Sequence, residues 1–298
     1  MKKINCVSKI ILVFICFFSC LGRVENKSSA IPIDTIPKNA IPFEYDEKQR
    51  KVPLLKGILN DSIPIDLLFD TGFNANHRIL ISDSLKCRLG SDFCTVQLTN
   101  NFSLQRNLDY WDRDYEFFKY FGQNTACIGF DFFENKIIKI SYLQKYIQIL
   151  DNAEGLEEYI CLPLNDQLNG QLNGQYLGIE VEVFVQGKCI KEIVILDTGF
   201  NGFVTFDNEI LGKYAINVEN DWSVTTLTKS LRQHRLHSDS IKVGCVLSGK
   251  QTVEFLAEDN HNIYPHSGLL GNAFLENFEI VFDFKESKMY MKPNSVTN

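Results

Sequence analysis

The sequence predicts an all-β fold of two related lobes with short helices, and three repeated features predict it. The residues Asp-Thr-Gly-Phe-Asn occur at 70–74 and again at 197–201, each at the end of an apolar run, Ile65 to Phe69 and Ile193 to Leu196. β-Branched and aliphatic runs of this kind read as buried strands. A second pattern, apolar-Gly-x-x-Phe-apolar-Glu-Asn, stands at 128–135 and at 270–277. Each copy is followed by a strand-like pair, over 137–150 and 278–291. A repeat whose beginning and end both match implies two copies of one architecture with pseudo-two-fold symmetry. The lobes are expected at 47–152 and 158–294.

Taken in order, the chain opens with Lys2, Lys3 and Lys9 before an apolar run from Ile10 to Phe18, then Ser19-Cys20. A basic start, a short apolar core and a small residue make residues 1–20 an export signal, and the core is too short for a bilayer-spanning helix. Phe17-Phe18-Ser19-Cys20 resembles the lipobox of bacterial lipoproteins. That resemblance implies lipid attachment at Cys20 and display from a bacterial cell envelope; the alternative is an ordinary cleaved signal. Residues 21–46, with Ser28-Ser29 and three Ile-Pro pairs, read as a tether.

In each lobe a hairpin is expected to deliver the acid. The turns are Asn60-Asp61-Ser62 before Ile63 to Phe69, and Gln186-Gly187-Lys188 between Ile179 to Val185 and Cys189 to Leu196. Val52-Pro53-Leu54 is matched to Leu162-Pro163-Leu164 as the entry to each lobe. Short helices are expected at 82–89 and 208–214. Regions 95–120 and 223–255 are candidates for a hairpin covering the cleft, although the first is poor in glycine and rich in aromatic and charged residues.

The net charge of −7, more acidic still without the leader lysines, argues against nucleic acid or an anionic membrane surface as a partner bound through charge. Among the 9 cysteines no Cys-x-x-Cys spacing occurs, and His234-x-x-His237 sits among Lys229, Arg232 and Arg235, so no metal is expected. Cys127 and Cys189 read as small buried residues of strands, and Cys87 and Cys94 are close enough in sequence to close a loop.

An acid at the end of a buried strand is costly unless a site uses it. Two such acids brought face to face cannot both be charged, so they share a proton. The ionised partner then takes a proton from water while the protonated one donates to a carbonyl.

Asp70-Thr71-Gly72 with Cys127-Ile128-Gly129, and Asp197-Thr198-Gly199 with Leu269-Leu270-Gly271, resemble the paired motifs of retropepsin-like aspartic peptidases over most of the chain after about residue 50. The resemblance implies a bilobal pepsin/retropepsin-like acid protease barrel in a single-chain form. It implies Asp70 and Asp197 as catalytic groups, Thr71 and Thr198 hydrogen-bonded across the lobe interface, and a peptide or protein substrate held extended by a monomer. No cofactor is implied. Gly72 and Gly199 would admit backbone N–H groups to the carboxylates, and Gly129 and Gly271 would let the chain pass beneath each loop. Phe73 and Phe200 depart from the small residue usual after Asp-Thr-Gly; Asn74 and Asn201 would supply amides near the carboxylates or act as turn residues only. Two alternatives stand beside the peptidase: a lipoprotein that binds peptides or partners on the same fold without turnover, and a homodimer pairing two second lobes.

Overall fold

The computed structural model describes residues 36–46, 51–73, 77–99, 102–164, 176–219, 221–225, 230–257 and 267–294. The leader with Cys20 and most of the expected tether lie outside the described residues. The described residues form β-strands with a few helices of at most six residues.

Each acid-bearing strand is the second strand of a hairpin. Leu54–Leu59 pairs antiparallel with Ile63–Phe69, and Gly178–Val185 with Lys188–Leu196. The turns have left-handed backbone at both central residues, φ 46° and 58° at Asn60 and Asp61, φ 52° and 70° at Gln186 and Gly187. That geometry matches the twist of the flanking strands and explains Asn, Asp and Gly there.

The outer edge of each acid strand pairs in parallel with the strand that carries the apolar-Gly motif. Phe69 lies opposite Ile128 in Thr125–Ile128, and Leu196 opposite Leu270 in Gly268–Leu270. A third strand, Arg78–Ser82 or Val204–Phe206, runs antiparallel along the far side of that motif strand. Both lobes thus place their acid at the mouth of the same three-stranded arrangement. Strand alternation sends Leu67, Phe69, Ile79, Ile81, Ala126 and Ile128 into the barrel core, and Leu68, Leu80 and Cys127 to the opposite face.

The first lobe closes on itself. Leu54–Leu59 also pairs with Phe93–Thr99, completing a ring of six strands with Ile63–Phe69, Thr125–Ile128, Arg78–Ser82 and Phe102–Trp111. The second lobe is a nine-stranded sheet bounded by Asp221–Thr225 and Val246–Ser248, and no pairing joins its ends among the described residues.

The strand pairs that end the two halves leave their lobes and join a shared six-stranded sheet. Its order is Ile160–Pro163, Lys288–Pro293, Phe278–Asp283, Ile137–Ser141, Tyr146–Leu150, Ala40–Glu44. The two halves meet where Ile280 faces Ile140. Two expectations are corrected here. Residues 40–44 are a strand rather than tether, because Ile41 and Phe43 are buried in the common core while Pro42 and Glu44 face outward. Leu162-Pro163 therefore corresponds to Ile41-Pro42 at the opposite edge of the shared sheet, not to Val52-Pro53. The true counterpart of Pro53 is Leu177: their carbonyls accept from Phe69 N–H (3.1 Å) and Leu196 N–H (2.8 Å).

The expected helices are present as Asp83–Leu85 with Lys86–Leu89, and as Glu209–Lys213. Cys127 is buried, but Cys189 is exposed at the outer end of its hairpin. Cys87 and Cys94 are free thiols, one exposed and one pointing into the barrel core, where burial raises the Cys94 thiol to about 11.

Candidate active site

Asp70 and Asp197 come together. Each begins where its strand ends, with its N–H bound to the carbonyl of the paired motif strand, Asp70 to Ile128 at 3.0 Å and Asp197 to Leu270 at 2.9 Å. The chain then turns sharply, so that Gly72 N–H donates back to Asp70 Oδ1 (2.9 Å) and Gly199 N–H to Asp197 Oδ1 (2.7 Å).

The two turns are locked by reciprocal hydrogen bonds. Thr71 N–H donates to Thr198 Oγ1 and Thr198 N–H to Thr71 Oγ1, both at 3.0 Å. Each hydroxyl in turn donates to the opposite strand, Thr71 to the Leu196 carbonyl and Thr198 to the Phe69 carbonyl, both at 2.7 Å. Both threonines are fully buried. A side chain with one O–H and free lone pairs is required, because each oxygen donates once and accepts once. A bond of this kind contributes about 0.5–1.5 kcal/mol net, and leaving a buried partner unpaired costs about 1–3 kcal/mol.

The glycines are explained by approach from the other lobe. A Cβ on Gly72 would lie 2.5 Å from the Asp197 carboxyl carbon, and one on Gly199 would meet the Asp70 carboxyl in the same way. Gly129 and Gly271 lie beneath the turns: a Cβ there would strike the Phe73 carbonyl in one lobe and the Phe200 carbonyl in the other. The sequence expectation for all four glycines therefore has a direct steric cause.

The two carboxyls hydrogen-bond each other. Burial, followed by the charge and hydrogen bond of Asp197, pushes Asp70 well above the usual carboxylate range, against the pull of the Gly72 and Phe73 N–H groups. Burial also raises Asp197, but bonds from Asp70, Gly199 and Phe200 draw it back. Both carboxyls are raised, so the pair favours holding one proton between them, and its titration belongs to both groups together.

Asn74 lies outside the described residues. Asn201 is exposed, and the bonds that draw Asp197 down come from Asp70, Gly199 and Phe200. The turn-residue reading fits Asn201 better than the carboxylate-amide one.

Several neighbours of the pair were not anticipated as site residues. The Cys127 thiol is raised by burial and then by the charges of Asp70, Asp197 and Asp131, and Tyr176 by burial and the charge of Asp70. The face beside Asp70 is apolar. Leu68, Leu80 and Cys127 are covered by Phe117 and Phe118 of helix Glu116–Phe121, and Phe73, Trp111 and Phe121 pack on the same cluster. Phe73 meets Trp111 edge-on at 6.3 Å and Trp111 meets Tyr115 at 5.2 Å. Region 95–120 therefore builds barrel wall and a covering helix. The corresponding face beside Asp197 starts with Ile195 and Leu269, packed by Tyr176 and Phe200, and continues through Thr205 to Glu254, which binds Arg235 Nε at 2.9 Å. Helix Glu116–Phe121 was hidden in the sequence because six residues are too few to show a helical period.

No family model matches the chain, and no curated protein matches it. Among solved structures, the crystal structure of the aspartic proteinase from Irpex lacteus is similar, with a TM-score of 0.52 and 12% identity over 87% of this chain and 98% of that one. That likeness carries the fold: an all-β, bilobal, pepsin-like architecture.

Proposed function

We propose that this chain is an aspartic-type endopeptidase, a single-chain relative of the retropepsin-like enzymes, which hydrolyses peptide bonds with a water activated between Asp70 and Asp197. The observation that carries the reading is the buried pair of mutually hydrogen-bonded carboxyls at the symmetric meeting of two Thr-locked turns. Such a pair has both functions the reaction needs. The ionised member of the pair accepts a proton from water as the water oxygen bonds to the scissile carbonyl carbon, while the protonated member gives its proton to the carbonyl oxygen. Collapse of the tetrahedral species returns a proton to the amide nitrogen, the C–N bond breaks, and a free carboxyl and amine leave. No covalent intermediate forms, and no metal or organic cofactor enters the reaction.

The substrate is a peptide or protein held extended between the lobes, with main-chain pairing as important as side-chain pockets. The protein acts as a monomer whose lobes stand in for a dimer. The leader and Cys20 support export and lipid anchoring at a bacterial cell envelope.

The reading is tested by incubating the purified chain with a diverse peptide library from acid to neutral pH, with and without pepstatin. Pepstatin-sensitive internal cleavage is expected. A folded protein that cleaves nothing at any pH would favour a binding role on the same fold.

A further inference from the structure

Asn272 follows Gly271 as the first residue of helix Asn272–Leu275 and is completely buried. An amide buried to that degree must satisfy all its polar atoms, and this one does so between the lobes. Its Nδ2 donates to the Thr198 carbonyl and to the Lys51 carbonyl, each at 2.5 Å. Its Oδ1 accepts from the Tyr142 hydroxyl at 2.6 Å, and its backbone N–H donates to the Phe200 carbonyl at 2.8 Å. Carbonyls can only accept, so the orientation of the amide is fixed by its partners. Asn272 thus grips the turn on both sides of Gly199 and ties it to the entry of the first lobe.

The surroundings make the grip rigid. Burial, then the nearby carboxylates of Glu276 and Asp197, push the Tyr142 hydroxyl far upward, so it stays an O–H donor at every working pH. Glu276 accepts from the Tyr45 hydroxyl (2.8 Å) and pairs with Lys51 Nζ (2.5 Å), and the Tyr45 and Tyr142 rings meet edge-on at 5.2 Å. In the first lobe the equivalent position is Phe130, whose ring is 6.0 Å from Phe284 and has no donor for the Thr71 carbonyl.

We propose that Asn272 is a positioning residue for the acid pair: its amide clamps the turn after Asp197 against the first lobe and holds Asp197 in register with Asp70. A change there would release the Thr198 carbonyl and loosen the Gly199 and Phe200 N–H groups, which face the Asp197 carboxylate. The inference rests on the endopeptidase reading only for its kinetic consequence.

The test follows the carboxyl carbons of 13C-aspartate-labelled protein by NMR over a pH titration, assigned with Asp70→Asn and Asp197→Asn. The wild-type pair is expected to titrate in two separated steps. In Asn272→Leu the separation should shrink by about one pH unit or more, chiefly through a rise of the lower step, while Phe130→Leu leaves it unchanged. With a cleaved peptide in hand, kcat of folded Asn272→Leu should fall about tenfold or more with KM within about threefold. A residue that serves the fold alone would lower the melting temperature and leave the titration of the folded molecules as it was. That result would overturn the proposal. If Asn272→Leu does not fold, Tyr142→Phe takes its place: it deletes one oxygen, and a smaller shift in the same direction is expected, whereas an unchanged titration would again overturn it. Coupled titration that responds to Asn272 in a protein that cleaves nothing would sink the endopeptidase reading and leave the positioning role standing.

Discussion

The two lobes agree where they touch and differ elsewhere. Across the interface the bonds repeat to the same distance, 3.0 Å for both threonine N–H groups and 2.7 Å for both hydroxyls. Away from it the first lobe closes into a ring and covers the face beside Asp70 with Phe117 and Phe118. The second shows no such closure among the described residues and lines the matching face with Thr205, Gln233 and Glu254, all largely buried. The chemistry of a shared proton needs two matched acids, so the turns are held to symmetry. A bound peptide has different residues on either side of its scissile bond, and nothing holds the outer faces to symmetry.

The largest effect expected from breaking the matched part is steric. Gly72→Ala and Gly199→Ala each drive a methyl into the opposite carboxyl, and both should reduce turnover by about a hundredfold or more, because the contact is relieved only by displacing that carboxyl. Equal losses in the two variants, measured as kcat/KM, would confirm functional symmetry.

Thr71→Val and Thr198→Val come next. Each keeps the shape but strands one N–H and one carbonyl in a fully buried interface, so each should cost about 2–5 kcal/mol in denaturant melts. A cost confined to one of them would show that only one lobe depends on the lock.

The unmatched faces predict unequal results. Phe118→Ala should cost about 3–5 kcal/mol, as for a fully buried aromatic in a filled cluster. In the second lobe Thr205→Val removes a buried hydroxyl whose oxygen has no hydrogen-bond partner among the described residues, and should stabilise by about 1 kcal/mol.

The pair also sets a pH dependence. Asp70 is raised in the folded state, so the folded protein holds more protons than the unfolded one between the unfolded and folded values of that carboxyl. Stability is therefore lost as pH rises through that interval and regained as pH falls. Asp70→Asn removes this penalty: it should melt higher than wild type at neutral pH, with the gap closing on acidification by up to about 1.4 kcal/mol per pH unit.

Much of this was legible in the sequence because it is written in short-range signals. The turn residues Asn60-Asp61 and Gln186-Gly187 fixed both hairpins, and an acid after an apolar strand, present twice, marked both halves of the site. What escaped depends on partners distant in sequence. Strand Ala40–Glu44 looks like linker until its partners at 146–148 and 54–55 are known. Asn272 looks like any polar residue after a glycine until its amide meets carbonyls 221 and 74 positions away. A comparison of the two repeat copies held a clue, because Phe130 against Asn272 is one of the two variable positions in the pattern. Cys189 reads as buried from its strand, but alternation alone does not say which face of a hairpin end is covered.

The central claim is that Asp70 and Asp197 form one functional unit with a single shared proton. It is tested most directly by comparing kcat/KM of Asp70→Asn, Asp197→Asn and the double variant on one cleaved peptide. Groups that act together are non-additive, so each single variant should lose as much as the double, with all three folded. A single variant that keeps substantial activity, or two single losses that multiply in the double, would contradict it.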